Sequence, residues 1–450
     1  MRIEPEQEGT LSSHNITPIP TMVRPVLLQL VRCSAQQHSL NWNHHQRRIG
    51  SIFTTTSCKR GISSLSEEDD KTVDRLAHDI LGKPRSDDGD DYKTSSQTMR
   101  QRIALSKSIT LVESKSPKHR KMADSLLDRL MKDSSNTNTF RLGICGPPGV
   151  GKSSIVEALG LYILGLDKNE QENAFCPAKV AVLAIDPSSH VTGGSILGDK
   201  TRMSQLSYHS NAYVRPSPSS GVLGGLGAYT YDAASLCEFA NYELTIIETV
   251  GVGQSEVELA ECCDLFLLLL APGGGDELQG SKKGIVEVAD VLVVNKADGE
   301  LHDVARKTAN EYKKAVGLLR KPAGWWGTNK NDHVCSDDRS PATPPVLLCS
   351  ARTGLGIPEL WDLIKTYRQN GKITGYIDEK RRNQRRYWLT KYLREHVLEA
   401  AKNDARTRKR KEEIELDLDN GSVAPRLAAS ELWSSIITAS SENNANTKTE

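Results

Sequence analysis

The sequence has no long hydrophobic run and no excess of charge of either sign. The apolar stretch at residues 265–271 is far shorter than the roughly 20 residues of a membrane-spanning helix, so it predicts a buried strand instead. The 58 basic and 57 acidic residues nearly cancel, so bulk charge gives no argument for nucleic-acid binding. The 450 residues suffice for one large α/β domain with extensions, or for two domains.

Cysteine pairs of the C-x-x-C type are also missing. There are nine cysteines, an odd number, and several adjoin apolar strand runs, which predicts reduced, buried thiols rather than a disulfide framework. The adjacent Cys262 and Cys263 could bind a metal, but no cluster of histidines lies near them in the sequence. We therefore interpret both as small apolar core residues.

Acidic residues are absent from residues 9–66. Basic residues accumulate there among many Ser, Thr, His and Gln: Arg24, Arg32, Arg47, Arg48, Lys59 and Arg60. This composition predicts a mitochondrial transit peptide over residues 1–65, and therefore a location in the mitochondrial matrix. Three glutamates before residue 9 do not fit, so a start at Met22 is an alternative. A plastid address and a basic tail without function are the other interpretations.

A phosphate-binding loop is the most informative feature that the sequence contains. Its residues are Gly146, Pro147, Pro148, Gly149, Val150, Gly151, Lys152, Ser153 and Ser154. Glycines in a turn between a strand and a helix let backbone N–H groups approach phosphate oxygens, and the helix N-terminus faces the anion. Lys152 is expected to contact the β- and γ-phosphates, and Ser153 to offer its hydroxyl to Mg²⁺.

Buried strands alternate with helices between residues 140 and 367. The predicted strands are Arg141–Cys145, Val180–Ile185, Leu244–Glu248, Leu265–Leu270, Val291–Val294 and Val346–Cys349. Their continuous Val, Ile and Leu content predicts an α/β fold, a P-loop NTPase three-layer sandwich with a mostly parallel central sheet. The polar and Gly-rich motifs that follow the strands are expected to meet at the carboxyl edge of that sheet.

The remaining segments are assigned by composition and periodicity. We predict a disordered linker at 66–94, an N-terminal helical hairpin at 95–135, a P-loop domain at 136–370 with an insertion loop near 321–345, a C-terminal helical dimerisation arm at 371–418, and a mostly disordered tail at 419–450.

A second motif, Asn295-Lys296-Ala297-Asp298, predicts guanine recognition. The Asp298 carboxylate can accept both N–H donors on the guanine edge, which adenine does not present, so the site would reject the wrong base. Asn295 is expected to brace the loop and Lys296 to lie along the base. Ser350, Ala351 and Arg352 follow the last strand and are placed to complete base recognition through the backbone.

Further polar residues follow the middle strands. Glu248 opens a Glu-Thr-Val-Gly run whose place matches the D-x-x-G element of GTPases, in which the acid supports Mg²⁺ and the glycine, here Gly251, senses the γ-phosphate. Asp186 and Asp199 flank a Gly-rich loop, as expected of a switch that orders around Mg²⁺ and phosphate. The candidate Mg²⁺ ligands are thus Ser153, Asp186, Asp199 and Glu248.

Catalytic roles are predicted for five side chains: Lys152, Arg202, Glu248, Gln254 and Lys282. Arg202 is a candidate to neutralise charge on the transferring phosphoryl group. Gln254 is a candidate to orient water, although Val252 and Gly253 shift it from the usual place, which predicts slow intrinsic turnover. Lys282 follows another Gly-rich loop, residues 271–280, which suits a segment ordered by nucleotide or a partner.

These motifs resemble the methylmalonyl-CoA mutase-associated GTPases, the MeaB, ArgK and methylmalonic aciduria type A family of SIMIBI-class P-loop GTPases. The resemblance covers residues 101–400, and it rests on the runs G-P-P-G-V-G-K-S-S, A-I-D-P-S-S, T-G-G-S-I-L-G-D-K-T-R-M, E-T-V-G-V-G-Q-S-E, A-P-G-G-G-D-E-L-Q-G and N-K-A-D. The chain departs from the family pattern near 327–341 and after about 418.

The resemblance implies a homodimer that binds GTP or GDP with Mg²⁺ and hydrolyses GTP. It also implies a chaperone of methylmalonyl-CoA mutase, which gates delivery of adenosylcobalamin to that enzyme and protects it from inactivation. Three switch segments are implied at residues 190–203, 249–262 and 273–284, the last responding to the mutase. Faster GTP hydrolysis in the presence of the mutase is the expected behaviour.

Three other functions stay open on sequence grounds. A metallochaperone GTPase for nickel-enzyme maturation needs a Cys/His metal site near the switches, for which the Cys262–Cys263 pair is the hint. A protein kinase of the transport-linked kind is disfavoured by Asp298, which selects guanine. A scaffold without activity is disfavoured by Lys152 and Ser153.

Overall fold

The computed structural model describes residues 65–83, 94–133, 138–166, 175–186, 203–218, 228–249, 255–274, 283–317, 343–403 and 405–446. The strands are β1 (Phe140–Cys145), β2 (Val180–Asp186), β3 (Ala212–Pro218), β4 (Leu244–Thr249), β5 (Leu265–Leu270), β6 (Val291–Val294) and β7 (Val346–Leu348). The helices are α1 (Glu67–Ile80), α2 (Thr94–Glu113), α3 (Pro117–Asp133), α4 (Lys152–Leu164), α5 (Ser204–Tyr208), α6 (Ala228–Phe239), α7 (Ser255–Ala260), α8 (Lys283–Val288), α9 (His302–Val316), α10 (Ile357–Ile373), α11 (Tyr376–Asn403), α12 (Ala405–Asp419) and α13 (Pro425–Asn446).

Within these residues the strands form one sheet of seven, in the order β3-β2-β4-β1-β5-β6-β7. Every strand pair is parallel. Successive side chains of a strand point to opposite faces, and both faces are covered. On β5, the side chains of Leu265, Leu267 and Leu269 pack in the core layer of α4 and α10. Those of Phe266, Leu268 and Leu270 pack in the core layer on the other face of the sheet. The predicted three-layer α/β fold is therefore confirmed.

The edge strand β3 is the one strand of this sheet that the sequence did not predict. Its sequence, Ala-Tyr-Val-Arg-Pro-Ser-Pro, contains two prolines, which cannot donate to a central ladder. Because β3 lies at the end of the sheet and pairs with β2, those missing donors cost little there. A proline-containing edge strand is therefore compatible with the fold.

Two segments expected to be disordered contain helices. Helix α1 lies in the predicted linker, where Ser66 caps it by accepting from the backbone N–H of Asp69. Its apolar stripe is buried: Val73, Leu76, Ala77 and Ile80. Helix α13 occupies much of the predicted tail. In α1, four apolar residues at helical spacing outweigh a polar average composition.

The long helix α11 crosses the amino edge of the sheet. Arg381 forms an ion pair with buried Asp264, at 2.5 Å, and Lys380 forms one with Asp290, at 3.2 Å. Both aspartates also accept from strand backbone: Arg141 N–H donates to Asp264 and Phe266 N–H to Asp290. Burial opposes ionisation of Asp264, but the charges and hydrogen bonds of Arg381 and Arg141 together outweigh it and keep the pKa of that carboxyl below its ordinary value.

None of the helices in the described part of the chain is long and apolar enough to cross a membrane. The insertion loop near 321–345 lies almost entirely outside the described residues, as does the predicted transit peptide.

Candidate functional site

The phosphate-binding loop sits between β1 and the N-terminus of α4, at the centre of the carboxyl edge. Gly151 adopts φ +93°, and a Cβ at this position would lie 2.6 Å from Asn295 Nδ2, so only glycine fits. A Cβ on Gly146 would lie 2.5 Å from the carbonyl oxygen of Leu269. The turn is therefore built around close approaches of its backbone to β5 and to the loop after β6.

Lys152 folds back over this loop. Its Nζ donates to the carbonyl oxygens of Gly146, at 2.9 Å, and Pro147, at 3.1 Å. These bonds hold the ammonium group above the turn rather than in solvent, and the residue is buried. Pro148, Gly149 and Ser154 are exposed, whereas Val150 is buried beneath the turn.

The hydroxyl of Ser153 meets the carboxylate that ends β4. Ser153 Oγ donates to Glu248 Oε1 at 2.7 Å. The two residues are 95 positions apart in the sequence and come together because β1 and β4 are parallel neighbours. Two oxygen groups, one of them a carboxylate, thus converge beside the loop, and hard divalent cations prefer such ligands.

Asn295 ties the phosphate-binding loop to the two loops after β6 and β7. Its Nδ2 donates to Val150 O at 2.8 Å, and its Oδ1 accepts from Ala351 N–H at 3.3 Å. The neighbouring Lys296 has φ +59° and donates from Nζ to Gly149 O at 2.7 Å. Asn295 and Lys296 therefore connect the loop after β6 to the phosphate-binding loop, and Asn295 also connects it to the loop after β7.

The loops after β6 and β7 are also joined by side chains. Ser350 Oγ donates to Asp298 Oδ1 at 2.7 Å and accepts from the backbone N–H of Thr353 at 3.2 Å. Sequence reasoning expected Ser350 to act through its backbone, and so it missed this hydroxyl contact. A hydroxyl residue directly after a strand that neighbours β6 is the signal that could have indicated it. Arg352 is exposed in the turn.

Several predicted site residues lie outside the described residues. They are Asp199, Arg202, Gly251, Gln254 and Lys282. Asp186 is the last residue of β2, so its backbone lies at the same carboxyl edge of the sheet as Glu248. The described geometry thus brings together Lys152, Ser153, Glu248 and the loops that contain Asp298 and Ser350.

The Cys262–Cys263 pair lies in the core, between α7 and β5. Both side chains are fully buried. Burial raises the pKa of the Cys263 thiol to about 12, and that of Cys262 is raised as well. Thiols ligate metals as thiolates, so these values favour the apolar-core interpretation. Among the described side chains, no group of three or more His, Cys, Asp and Glu is arranged to hold a metal ion.

Comparison with known proteins supports the same conclusion as the motifs. The family model described as "Methylmalonyl Co-A mutase-associated GTPase MeaB" matches residues 105–406. A protein of Mycobacterium tuberculosis named as a probable GTPase is 43% identical over 367 residues, or 82% of this chain and 96% of its own length. The mouse protein named "Methylmalonic aciduria type A homolog, mitochondrial" is 41% identical over 390 residues, or 84% of each chain.

A GTPase ArgK of Escherichia coli is 42% identical over 300 residues, or 66% of this chain and 82% of its own. Among solved structures, a "LAO/AO transport system kinase" is 30% identical with a TM-score of 0.55, covering 83% of this chain and 99% of that one. The family resemblance inferred from the motifs is confirmed. The chain is a P-loop GTPase that binds guanine nucleotide, and it belongs to the family of the methylmalonyl-CoA mutase-associated GTPases.

Proposed function

We propose that the carboxyl edge of the sheet holds GTP and Mg²⁺, and that the chain uses GTP hydrolysis to act as a chaperone of methylmalonyl-CoA mutase. The hydrogen bond from Ser153 Oγ to Glu248 Oε1, at 2.7 Å, is the observation that supports the nucleotide site. It lies beside the phosphate-binding loop, which Asn295 connects to the loops after β6 and β7. The same edge thus presents a phosphate cradle, oxygen ligands and a base-reading carboxylate.

Base selection is assigned to Asp298. A carboxylate offers about four acceptor positions, so it can accept from Ser350 and still accept two donors from guanine. Lys296 and Ala351 flank it, one bonded to the phosphate-binding loop and the other to Asn295. A nucleotide bound here would therefore contact loops that are already connected to one another.

The Mg²⁺ ligands are assigned to Ser153 and Glu248, with Asp186 and Asp199 as further carboxylates. The donor set fits this ion, because Mg²⁺ is held by one or two carboxylates and a hydroxyl together with substrate phosphates. When bound, Mg²⁺ neutralises charge that develops on the phosphate oxygens. Lys152 would add a positive charge to the same phosphates, and Arg202, Gln254 and Lys282 remain catalytic candidates by their place in the motifs.

The chaperone role rests on the family. Its description names an association with methylmalonyl-CoA mutase, and the mouse relative is named after methylmalonic aciduria. Control of adenosylcobalamin delivery and protection of the mutase are proposed on this basis. A mitochondrial location is supported by the acid-poor segment 9–66 and by the location stated in the name of that relative.

A homodimer is proposed through the C-terminal helices. Helix α11 leaves large apolar side chains in solvent, with Leu389 68% and Leu393 41% exposed, and Leu416 on α12 is exposed as well. Leu389 and Leu393 lie four residues apart, on one face of α11. An exposed apolar face of this kind is buried at low cost by a second copy of the same helix.

Affinity capture with purified methylmalonyl-CoA mutase tests the partner, in the presence of GTP, GDP or no nucleotide. Nucleotide-dependent retention of the mutase, and faster GTP hydrolysis when it is added, are the expected results. Calorimetry with GTP and ATP tests the site. Equal affinity for the two nucleotides would overturn the assignment of Asp298, and an unchanged hydrolysis rate with the mutase would overturn the chaperone role.

A further inference from the structure

We propose that Trp388 on α11, which is distant in sequence from the nucleotide-binding motifs, is a positioning residue for GTP hydrolysis. It would act by fixing the carboxyl end of α7, the short helix that follows the Glu248 segment. The inference rests on the proposed role of Glu248 at the nucleotide edge.

Helix α7 runs between the two edges of the sheet. It starts at Ser255, six residues after the end of β4 at the carboxyl edge, and the chain enters β5 at the amino edge at Leu265. It packs directly on β1, because a Cβ on Gly143 would lie 2.7 Å from Cys263 Sγ and 3.0 Å from Leu259 Cγ. The position of α7 is therefore linked to the strand that carries the phosphate-binding loop.

The last carbonyl groups of a helix have no partner within the helix. Side chains of α11 supply donors to the carbonyl of Ala260, the last residue of α7, and to those of Glu261 and Cys263 in the turn that follows it. Gln384 Nε2 donates to Ala260 O at 3.1 Å and to Cys263 O at 2.8 Å, and Trp388 Nε1 donates to Glu261 O at 2.7 Å. The carboxyl end of α7 is thus capped by another helix.

A charged contact reinforces this cap. Lys391 Nζ lies 2.8 Å from Glu258 Oε1 and 4.8 Å from the centre of the Trp388 ring. Trp388 also stacks on Tyr231 of α6, with ring centres 5.5 Å apart. Trp388 is 1% exposed, so its indole N–H has exchanged water for the carbonyl of Glu261.

The start of α11 is fixed independently, by the ion pairs of Lys380 and Arg381 with the aspartates at the amino edge. Trp388 lies about two turns further along the helix. Helix α11 therefore offers a fixed frame against which Trp388 holds α7. Loosening that hold leaves the phosphate and base contacts intact but lets α7 shift relative to β1 and Glu248.

The test is Trp388→Phe, which retains an aromatic ring against Tyr231 but removes the N–H that bonds Glu261. Trp433→Phe, the same substitution at a side chain that is 43% exposed on α13, is the matched control. We expect kcat for GTP to fall by about fivefold or more in Trp388→Phe, while the KM for GTP and the Kd for GDP stay within twofold. Trp433→Phe should keep all three values.

Two results would overturn the proposal. One is an unchanged kcat in Trp388→Phe. The other is a fall in kcat matched by equal losses of GDP affinity and of resistance to urea, because that describes general destabilisation. Lys391→Met is a second test, because it removes the ion pair with Glu258 and the cation over the Trp388 ring but keeps the indole N–H that bonds Glu261 O. Its kcat should also fall, and an unchanged value counts against the proposal. Wild-type binding of GTP is measured in parallel, so failure of the nucleotide site itself is recognised separately.

Discussion

Replacing Asn295 by alanine tests how the nucleotide loops are held together. Asn295 is 2% exposed and spans two loops, with its Nδ2 2.8 Å from Val150 O and its Oδ1 3.3 Å from Ala351 N. Leaving a buried partner without its hydrogen bond costs about 1–3 kcal/mol. In the variant, the bound nucleotide must itself order the two loops that Asn295 bridges. This cost should raise the Kd for nucleotide about 5- to 150-fold.

The increase should be nearly equal for GDP and GTP, because both ligands contact the two bridged loops and the γ-phosphate lies outside the bridge. Titration calorimetry with each nucleotide measures it, and Asn310→Ala on the exposed face of α9 is the control. The reasoning is refuted if both Kd values stay within twofold of the wild type. It is also refuted if GTP binding weakens while GDP binding does not, because Asn295 would then act on the γ-phosphate.

Three further changes probe the site and the sheet edge opposite to it. Glu248→Gln keeps an oxygen for Ser153 but removes the charge, so the Mg²⁺ concentration that half-saturates GTP hydrolysis should rise about 10- to 100-fold; an unchanged Mg²⁺ titration would contradict the ligand assignment. Asp298→Asn should move base preference from guanine toward xanthine, measured as the ratio of Kd values for GTP and xanthosine triphosphate. Asp264→Asn should lower the free energy of unfolding at pH 7 by about 1–3 kcal/mol, because Arg381 loses the nearer of its two carboxylate partners and keeps Glu238 at 3.2 Å. Since the pKa of Asp264 is lowered in the folded state, its contribution is present above the unfolded pKa of about 3.9 and is lost as the pH falls below it. Urea unfolding between pH 7 and pH 3 should therefore show a flatter profile for the variant than for the wild type.

Most of the sheet was predictable because its strands are buried on both faces. The runs at β5 and β6 are continuously apolar, and their predicted bounds match the structure to the residue. The strand β3 was not predictable in this way, since an edge strand needs neither a fully apolar sequence nor every N–H donor. Helix α1 was missed because its Asp-rich sequence hides four apolar residues at helical spacing.

The site was predictable in its location but not in its internal contacts. Motif order and strand type place Ser153, Glu248 and Asp298 at one edge, because the carboxyl ends of parallel strands meet there. Which atom bonds which depends on loop geometry that no short motif encodes. The contact of Lys296 with Gly149 O requires a left-handed backbone at a residue other than glycine, which is uncommon and cannot be inferred from a four-residue match.

The amino and carboxyl ends of the strands make different contacts, and this difference determines how a partner bound at α11 would influence GTP hydrolysis. Asp264 at the start of β5 holds Arg381, whereas Leu270 O at its end accepts from Asn295 N–H. These ends are about 20 Å apart along six residues of strand. A close-packed parallel sheet resists deformation, so its two ends change little in position relative to each other. Helix α7 packs beside it, leads from the Glu248 edge to the Asp264 edge, and is capped by Trp388 and Gln384. A change at the exposed face of α11 should therefore reach the nucleotide edge through α7, and kcat should respond to it before nucleotide affinity does.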